Sequence, residues 1–401
     1  MDGMTLPNAD WRHREGLDRL SDVLGAGEGM SRFVGGAVRD ALLGLPVADI
    51  DIATRHPPED VIDLLRRAGI RVVPTGLAHG TVTAILESGP VEVTTLRRDV
   101  ATDGRRATIA YTEDWREDAA RRDFTMNALY ADPRTGQLFD YFEGLADLEA
   151  RRVRFIGDPL QRIAEDHLRI LRFFRFLARF GNTPDAAGLD ACTTRAKDLM
   201  ALSRERIADE LLKLLVARHA VRVVRLMVER GIFLPVLPEI VAEGADRLDR
   251  LAASEAAAEV PPDAIRRLAA LLPPDPESVD SVGARLKLSN AQRKRLVTAV
   301  SLAPDGTARS LAYRLGVESA VDILLLDGST DAAASIKDWA PPRMPLTGGS
   351  LVERGLTKGP EVARALRAVE DRWIAELFPD ADRVAVIADE IVAQALRSLS
   401  S

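Results

Sequence analysis

The sequence predicts an α+β fold class, with a small N-terminal head of strands and helices followed by a region that is helical throughout. Two changes in residue pattern indicate this division. Before about residue 150, short strand-like runs with period-two alternation are separated by turns and short helical segments. After the Gly-Asp-Pro sequence at 157–159, apolar residues recur at helical spacing. Pro-rich breaks then separate successive helices at 261–262, 273–276 and 341–345.

The composition is typical of a globular protein, with 46% hydrophobic and 29% charged residues. The one cysteine, Cys192, excludes a disulfide framework and a cysteine-based zinc site. Because the sequence contains neither a run of about 18 apolar residues nor the apolar core of a signal peptide, we expect a cytoplasmic protein with no membrane partner. The net charge of −7 conceals a basic segment, since residues 151–180 carry eight arginines and three carboxylates. A basic patch on an acidic protein favours a specific polyanion recognised by shape over general DNA binding.

Residues 32–54 hold the densest group of candidate site residues. Their pattern predicts, in order, a strand at 32–34, a diglycine turn, a helix at 37–43 and a strand at 47–53. Asp49 and Asp51 would share one face of the second strand, while Ile50 and Ile52 enter the core, because successive side chains alternate between the faces of a strand. Paired carboxylates of this kind are suitable ligands for a divalent cation.

The diglycine, Gly35-Gly36, indicates an anion site next to these carboxylates. Glycine lets backbone N–H groups approach an anion at the start of a helix, and Arg39 follows one turn later. A phosphate site beside two metal-binding carboxylates is typical of Mg²⁺-dependent nucleotidyl transfer. Two other interpretations fail, because an EF-hand requires Gly and Glu where Thr54 and Asp60 stand, and a Walker loop requires a Gly-Lys-Ser/Thr sequence that is absent.

Three strand-like runs, at 71–74, 80–86 and 91–97, continue the head. Glu92 faces away from its apolar neighbours on the third run, and strand pairing would place it beside Asp49 and Asp51 as a third carboxylate. The alternative is a solvent-facing Glu on a half-buried strand. Residues 98–116 are polar and charge-dense, which predicts a mobile loop near the site.

Two later segments place arginines among apolar residues. In 121–129, an Arg-Arg-Asp sequence and an Asn surround an apolar Phe and would grip a triphosphate and a ribose; the alternative is an ordinary helix start with solvated charges. A helix predicted over 162–180 is apolar on most of its circumference but also contains Glu165, Asp166, Arg169, Arg172 and Arg175. Because buried arginines are costly unless paired, the pattern favours a polar cleft with a bound anion or base, with an inter-helix salt-bridge ladder as the alternative.

Taken together, these motifs resemble those of the class II tRNA nucleotidyltransferases (CCA-adding enzymes) and the related bacterial poly(A) polymerases of the DNA polymerase β superfamily. Five signatures occur in the family's order: GGAVRDALLG with DID, RRDFTMNAL, DYFEGLADLEARRVR, EDHLRILRFFRF, and a last one that begins at Arg204. The resemblance is strong over 31–215 and weak beyond. It implies a mixed β-sheet head of the DNA polymerase β type and an elongated all-α remainder. The implied divisions are a head at 1–150, a neck at 151–215, a body at 216–270 and a tRNA-contacting tail at 271–401.

The resemblance also implies a role for each matching residue. Asp49 and Asp51 would bind Mg²⁺, and Glu92 would be a third catalytic carboxylate. The implied nucleotide-binding residues are Gly36, Arg39, Arg122, Asp123, Asn127, Asp166, Arg169, Arg172 and Arg175. Within that set, Asp166 would accept from an exocyclic amino group of the base, and Arg169 would donate to ring acceptors. C and A both present an amino group next to a ring nitrogen, so both would be accepted, and U and G refused.

The activity implied is template-independent addition of CCA to tRNA 3′ ends from CTP and ATP, with contacts to the acceptor and T-arm region of the tRNA and release of pyrophosphate. The nearest alternative is an A-adding enzyme or poly(A) polymerase, which would extend generic RNA with ATP alone. The acidic net charge counts against that alternative. A catalytically silent RNA-binding protein is a further alternative, which the intact Asp49 and Asp51 disfavour.

Overall fold

A computed structural model describes residues 4–102, 107–301, 306–357 and 359–399. The chain divides into two compact units, Met1–Pro238 and Glu239–Ser401. The strands described in the first unit are β1 (Ser31–Val34), β2 (Asp51–Thr54), β3 (Arg71–Gly76), β4 (Thr81–Leu86), β5 (Gly89–Thr95), β6 (Arg97–Thr102), β7 (Ala107–Tyr111), β8 (Leu129–Ala131), β9 (Leu138–Asp140), β10 (Arg152–Val153) and β11 (Thr183–Pro184). The helices described in it are α1 (Leu17–Val23), α2 (Gly36–Leu42), α3 (Pro58–Arg67), α4 (Trp115–Ala120), α5 (Gly144–Glu149), α6 (Pro159–Glu165), α7 (Leu168–Phe180), α8 (Ala186–Thr194), α9 (Arg204–Leu215) and α10 (Ala220–Glu229).

Seven of these strands form one mixed sheet in the order β3-β4-β5-β2-β1-β8-β9. Strands β2 and β5 are parallel, and the other neighbours in the sheet are antiparallel. Ile50 and Ile52 are almost fully buried, as the alternation predicted. The predicted α+β class is therefore confirmed, with a mixed-sheet head at the N-terminus and, after residue 157, helices interrupted only by the two-residue strand β11 in the described part of the chain.

Two predictions about the head are corrected. The strand expected over 47–53 is shorter, because β2 begins only at Asp51 and Asp49 is exposed ahead of it. The loop expected over 98–116 is largely regular structure: β6 and β7 pair as an antiparallel ribbon, and α4 follows. Backbone pairing between β6 and β7 satisfies their main-chain N–H and C=O groups, and this pairing does not depend on apolar side chains. Residues 103–106 of that segment lie outside the described residues.

Aromatic packing fixes α7 against the segment that follows α4. The ring centroid of Phe124 lies 4.9 Å from that of Phe176 and 5.0 Å from that of Phe155. Phe155 in turn stacks on Phe173, with centroids 5.5 Å apart and an interplanar angle of 8°. Offset and tilted aromatic pairs of this kind add to the free energy gained by burying their area. Helix α7 is thereby held with its arginine-bearing edge beside the chain at 121–127.

The second unit is helical in the part that the structure describes. Its helices are α11 (Ala242–Ala257), α12 (Ala264–Leu271), α13 (Pro276–Arg285), α14 (Asn290–Ser301), α15 (Ala308–Leu315), α16 (Val317–Asp327), α17 (Thr330–Ala334), α18 (Gly348–Glu353), α19 (Pro360–Ala375) and α20 (Ala381–Leu399). Trp373 on α19 is buried in a cluster with Leu351, Val369 and Val384. Among the described residues, every helix is too short or too polar to cross a membrane.

Candidate active site

A cavity of about 560 Å³ in the first unit brings together segments that are distant in sequence. It is bordered by the β1–α2 turn, the start of β2, the chain at 121–127, and helices α7 and α9. Of the predicted site residues, nine line it: Gly36, Arg39, Asp51, Arg122, Asp123, Asn127, Asp166, Arg169 and Arg172. The other three, Asp49, Glu92 and Arg175, are not among the lining residues.

The carboxylates meet because β2 and β5 run parallel. In that pairing Asp51 stands directly opposite Glu92, and the Glu92 N–H donates to the Ile50 carbonyl at 3.1 Å. Burial, with a smaller contribution from the charges of Glu92 and Asp49, raises the pKa of Asp51 to about 6 against the opposing effect of Arg122. The raised pKa reflects burial first and neighbouring negative charge second, and a bound cation would favour the ionised form of the carboxylate.

The donor set fits a hard divalent cation. Carboxylate oxygens are the ligands that Mg²⁺ prefers, and Mg²⁺ is commonly held by one or two carboxylates together with water and substrate phosphate oxygens. Among the described residues, no group of three or more His, Cys, Asp or Glu side chains is placed to hold a metal by itself. Asp51 and its neighbours would therefore share the ion with oxygens from a bound ligand and from water.

The β1–α2 turn has a conformation that requires glycine. Gly35 has φ 68° and ψ −121°, on the side of the Ramachandran plot that L-residues with a Cβ rarely adopt. A Cβ at this position would also lie 3.4 Å from Nη1 of Arg122. Gly36 begins α2 with ordinary helical geometry. The turn thus brings the chain close to Arg122 at the edge of the cavity.

One hydrogen-bonded network crosses the cavity from α2 to α7. Arg39, which is buried, donates from Nη1 to Oδ1 of Asn127 at 2.5 Å. Asn127 donates from Nδ2 to Oδ1 of Asp123 at 2.9 Å, and Arg172 donates from Nε and Nη2 to Oδ2 of Asp123 at 2.8 and 2.5 Å. Burial opposes ionisation of Asp123, but Arg172, Asn127 and the Phe124 N–H outweigh it and lower the pKa of Asp123 to about 2. Residues from three segments are therefore fixed relative to one another.

The continuous helix predicted over 162–180 is wrong, because the chain breaks between α6 and α7. Asp166 stands in the break with φ −152° and ψ 107°. Its Oδ1 accepts the Leu168 N–H at 3.1 Å and so satisfies a donor at the start of α7. An Asp side chain competes with the helix for backbone hydrogen bonds in this way. The break turns the Asp166 carboxylate into the cavity.

The arginines of α7 have ionic partners, as the salt-bridge alternative supposed, and two of them also line the cavity. Arg169 donates from Nη1 to Glu165 at 2.5 Å, and Arg172 pairs with Asp123. Arg175 donates to Glu210 on α9 at 2.5 Å. The salt bridges of one interpretation and the polar cleft of the other are both observed, and the bound anion or base stays a prediction.

Sequence reasoning had included Gly35 in the diglycine and Arg121 in the Arg-Arg-Asp sequence, but it missed four lining residues: Arg97, Leu168, Phe176 and Arg206. Arg206 lies inside the signature that begins at Arg204, from which no site residue was selected. Phe176 was expected only in the core. Its contribution to the cavity wall depends on the orientation of α7, which local pattern does not reveal.

Comparison with known proteins places this arrangement in a family. Residues 31–154 match the Poly A polymerase head domain, and residues 184–243 match a region described as the probable RNA and SrmB-binding site of polymerase A. The CCA tRNA nucleotidyltransferase 1, mitochondrial, of Mus musculus is 34% identical over 90% of this chain and 86% of its own length. The chain belongs to the CCA tRNA nucleotidyltransferase family. Polymerase β-type nucleotidyltransferases such as these generally use a divalent metal ion.

Solved structures of CCA-adding enzymes share the fold. A Bacillus stearothermophilus CCA-adding enzyme in complex with CTP superimposes with a TM-score of 0.74 at 25% identity, covering 96% of this chain and 99% of the other. A Thermotoga maritima CCA-adding enzyme complexed with tRNA superimposes with a TM-score of 0.69 at 19% identity, covering 99% of this chain and all of the other. The fold that this chain shares with these enzymes therefore extends over nearly its whole length.

Proposed function

We propose that this chain adds CCA to tRNA 3′ ends, by transfer of nucleotides from CTP and ATP without a nucleic-acid template and with release of pyrophosphate. The observation that carries the proposal is the single cavity that Asp51 shares with the arginines of α2, 121–127 and α7. The relatives' names describe the same activity, and the Bacillus and Thermotoga relatives were captured with CTP and with tRNA.

The metal would be Mg²⁺, held by Asp49 and Asp51 with Glu92 as a third catalytic carboxylate. When bound, the ion supplies charge stabilisation to the triphosphate and lowers the pKa of the attacking RNA 3′-hydroxyl. Asp51 borders the cavity directly, and Glu92 stands opposite it in the β2–β5 pair. The exposed Asp49 precedes β2 by two residues and lies outside the positions of that strand that pair with β1 and β5.

The triphosphate and ribose would be bound by the network between α2 and α7. Gly36 and Arg39 stand at the β1–α2 side, with Arg122 next to them. Asp123 and Asn127 fix the spacing across the cavity and offer acceptors and donors to the ribose. Arg172 reaches the cavity from α7, and Arg175, one turn further on, would add a nucleotide contact or support the helix through Glu210.

The base would be read by Asp166 and Arg169. Asp166 accepts from an exocyclic amino group, and Arg169 donates to ring acceptors. A site built to hydrogen-bond these groups rejects bases that leave its polar atoms unpaired, so C and A are accepted and U and G refused. Both residues line the cavity, and each has an ionic partner of its own, Arg206 for Asp166 and Glu165 for Arg169.

We further propose that the four parts expected from the sequence describe this chain: a head at 1–150, a neck at 151–215, a body at 216–270 and a tail at 271–401 that contacts the acceptor and T-arm region of tRNA. The match of 184–243 to a probable RNA-binding region supports RNA contact beyond the head. A cytoplasmic location also stays a prediction, since the mouse relative is named as a mitochondrial protein.

The test uses tRNA transcripts that end before CCA, incubated with CTP alone, ATP alone and both. The expected result is addition of two C residues with CTP alone and completion of CCA with both. Transcripts that already carry CCA serve as the control and should not be extended. Extension of generic RNA by ATP alone, without incorporation of C, would establish the poly(A) polymerase alternative instead.

A further inference from the structure

Asp118 is a buried carboxylate that the proposed chemistry does not use. Asp114 caps the N-terminus of helix α4, and its side chain accepts the Arg116 N–H at 2.8 Å. Trp115, Asp118 and Ala119 then share the inward face of the helix, because residues three and four apart lie on the same side. The Asp118 side chain is 1% exposed. A buried carboxylate is costly unless it is paired and hydrogen-bonded.

Three of the four residues that hydrogen-bond this carboxylate line the cavity. Its Oδ1 accepts from Nε of Arg121 at 2.8 Å and from the backbone N–H of Arg97 at 3.3 Å. Its Oδ2 accepts from Nη2 of Arg122 at 3.2 Å and from the hydroxyl of Tyr130 at 2.7 Å. The Tyr130 oxygen also accepts from Nε of Arg122 at 3.3 Å. Asp118 and Tyr130 therefore hold the Arg122 guanidinium at two of its nitrogens.

The three arginines in this group line the cavity, whereas Asp118 lies behind them. We propose that Asp118 is a positioning residue for nucleotidyl transfer, which aims the guanidinium groups of Arg121 and Arg122 at the triphosphate. The inference rests on the proposed function, in which Arg122 binds phosphate. Two-point attachment fixes the plane of the Arg122 guanidinium and keeps its Nη1 out of the bonds to Asp118 and Tyr130, while Asp118 holds Arg121 at Nε alone.

Asp118 would favour nucleotidyl transfer by orienting the guanidinium groups of Arg121 and Arg122, and not through its own charge. A carboxylate beside two phosphate-binding arginines reduces the attraction that they exert on an anion. Burial opposes ionisation of Asp118, but Arg122, Arg121 and Tyr130 outweigh it and lower the pKa of Asp118 to about 2, so the group is charged at neutral pH. A purely electrostatic role predicts that neutralising Asp118 tightens nucleotide binding and leaves turnover intact, whereas a positioning role predicts that turnover falls.

The experiment compares Asp118→Asn with a matched control, Glu255→Gln, in the full-length chain. Glu255 is also 1% exposed and accepts from two consecutive arginines, Arg266 at 2.8 Å and Arg267 at 2.9 Å, but it lies in the second unit. Each variant would be assayed for kcat and KM with CTP and a tRNA transcript that lacks CCA, and CTP binding would be measured by calorimetry.

Asp118→Asn is expected to lower kcat at least tenfold and to change the KM and Kd for CTP by less than threefold, because the arginine charges remain while their alignment is lost. Glu255→Gln should keep kcat within twofold of the unaltered chain. An unchanged kcat in Asp118→Asn, or an equal fall in Glu255→Gln, would overturn the inference. Failure of the unaltered chain to transfer any nucleotide would overturn the proposed function and this inference together. Failure of the positioning role alone is distinguishable from that outcome, because the unaltered chain would then still transfer nucleotides.

Tyr130→Phe provides a second test that keeps Asp118 and its charge. It removes one hydroxyl that bonds to both Asp118 and Arg122, and the ring that packs edge-on against Trp115, with centroids 5.5 Å apart, remains. We expect kcat to fall about threefold to fivefold with the KM for CTP unchanged. A normal kcat in a folded Tyr130→Phe variant would contradict the positioning role even if Asp118→Asn failed to fold.

Discussion

Arg206 on α9 donates from Nη2 to both carboxylate oxygens of Asp166, at 2.9 and 3.1 Å. Asp166 occupies the extended break between α6 and α7, so this ion pair ties the break to a third helix. Both residues line the cavity. Arg206 and the Leu168 N–H therefore both hold the Asp166 carboxylate in place, although Arg206 was not among the residues selected from the sequence.

Replacing Arg206 by Ala should impair selection of the base. Without its ionic partner, Asp166 can rotate away from the position that accepts an amino group, so kcat/KM for CTP should fall about tenfold and incorporation of UMP should rise several-fold. Competition assays with paired nucleotides measure both effects. Lys213→Ala on the same helix, which removes an exposed pair with Asp209, is the control and should change neither. Unaltered selectivity in Arg206→Ala would exclude this role.

Replacing Asp51 by Ala should abolish transfer and spare tRNA binding. The substitution removes the carboxylate that borders the cavity, and with it stabilisation of the triphosphate worth several kcal/mol, so we expect a loss of about a thousandfold or more in kcat. Filter binding of tRNA should stay within twofold. Asp63→Ala, at an exposed position of α3, controls for loss of a carboxylate as such. Substantial activity in Asp51→Ala would refute the metal assignment.

The two glycines of the β1–α2 turn should respond in opposite ways to substitution by Ala. Gly35→Ala places a Cβ at φ 68° and 3.4 Å from Arg122, so it should lower the free energy of unfolding by about 1–3 kcal/mol. Gly36→Ala meets only Nη2 of Arg39 at 3.8 Å and gains helix propensity, so stability should be unchanged or rise by up to about 1 kcal/mol. Urea unfolding distinguishes the two. Equal losses would mean that the conformation of the turn is not the cause.

Asp118 should make stability depend on pH in the acid range. Its pKa is lowered to about 2 in the folded chain, so the carboxylate stabilises the fold at and above pH 5, and this contribution is lost as the pH falls from about 4 through 2. From that shift, we expect the unaltered chain to lose about 2 kcal/mol more than Asp118→Asn over this interval. Urea unfolding of both proteins at several pH values gives the difference, and parallel pH profiles would contradict the prediction.

The sequence by itself determined the local parts of the site. The strand, diglycine turn and helix at 31–42 follow from hydrophobic spacing and from glycine, and the observed elements match the predicted ones within about a residue. Ile50 and Ile52 are buried as alternation required. These features depend on interactions between residues close in the chain, and such interactions leave a pattern that can be read directly.

Only the tertiary structure decided how those parts meet. Parallel pairing of β2 with β5 sets Glu92 opposite Asp51 across 41 positions of sequence, and nothing in either strand specifies the partner or its register. The break at Asp166 was hidden because the surrounding residues keep helical spacing on both sides of it. Which carboxylate each buried arginine takes is likewise a matter of three-dimensional proximity, since Asp118, Glu165 and Glu210 offer the same chemistry. The sequence shows which charged residues are present, and the packing of α7 against the head determines which of them form ion pairs.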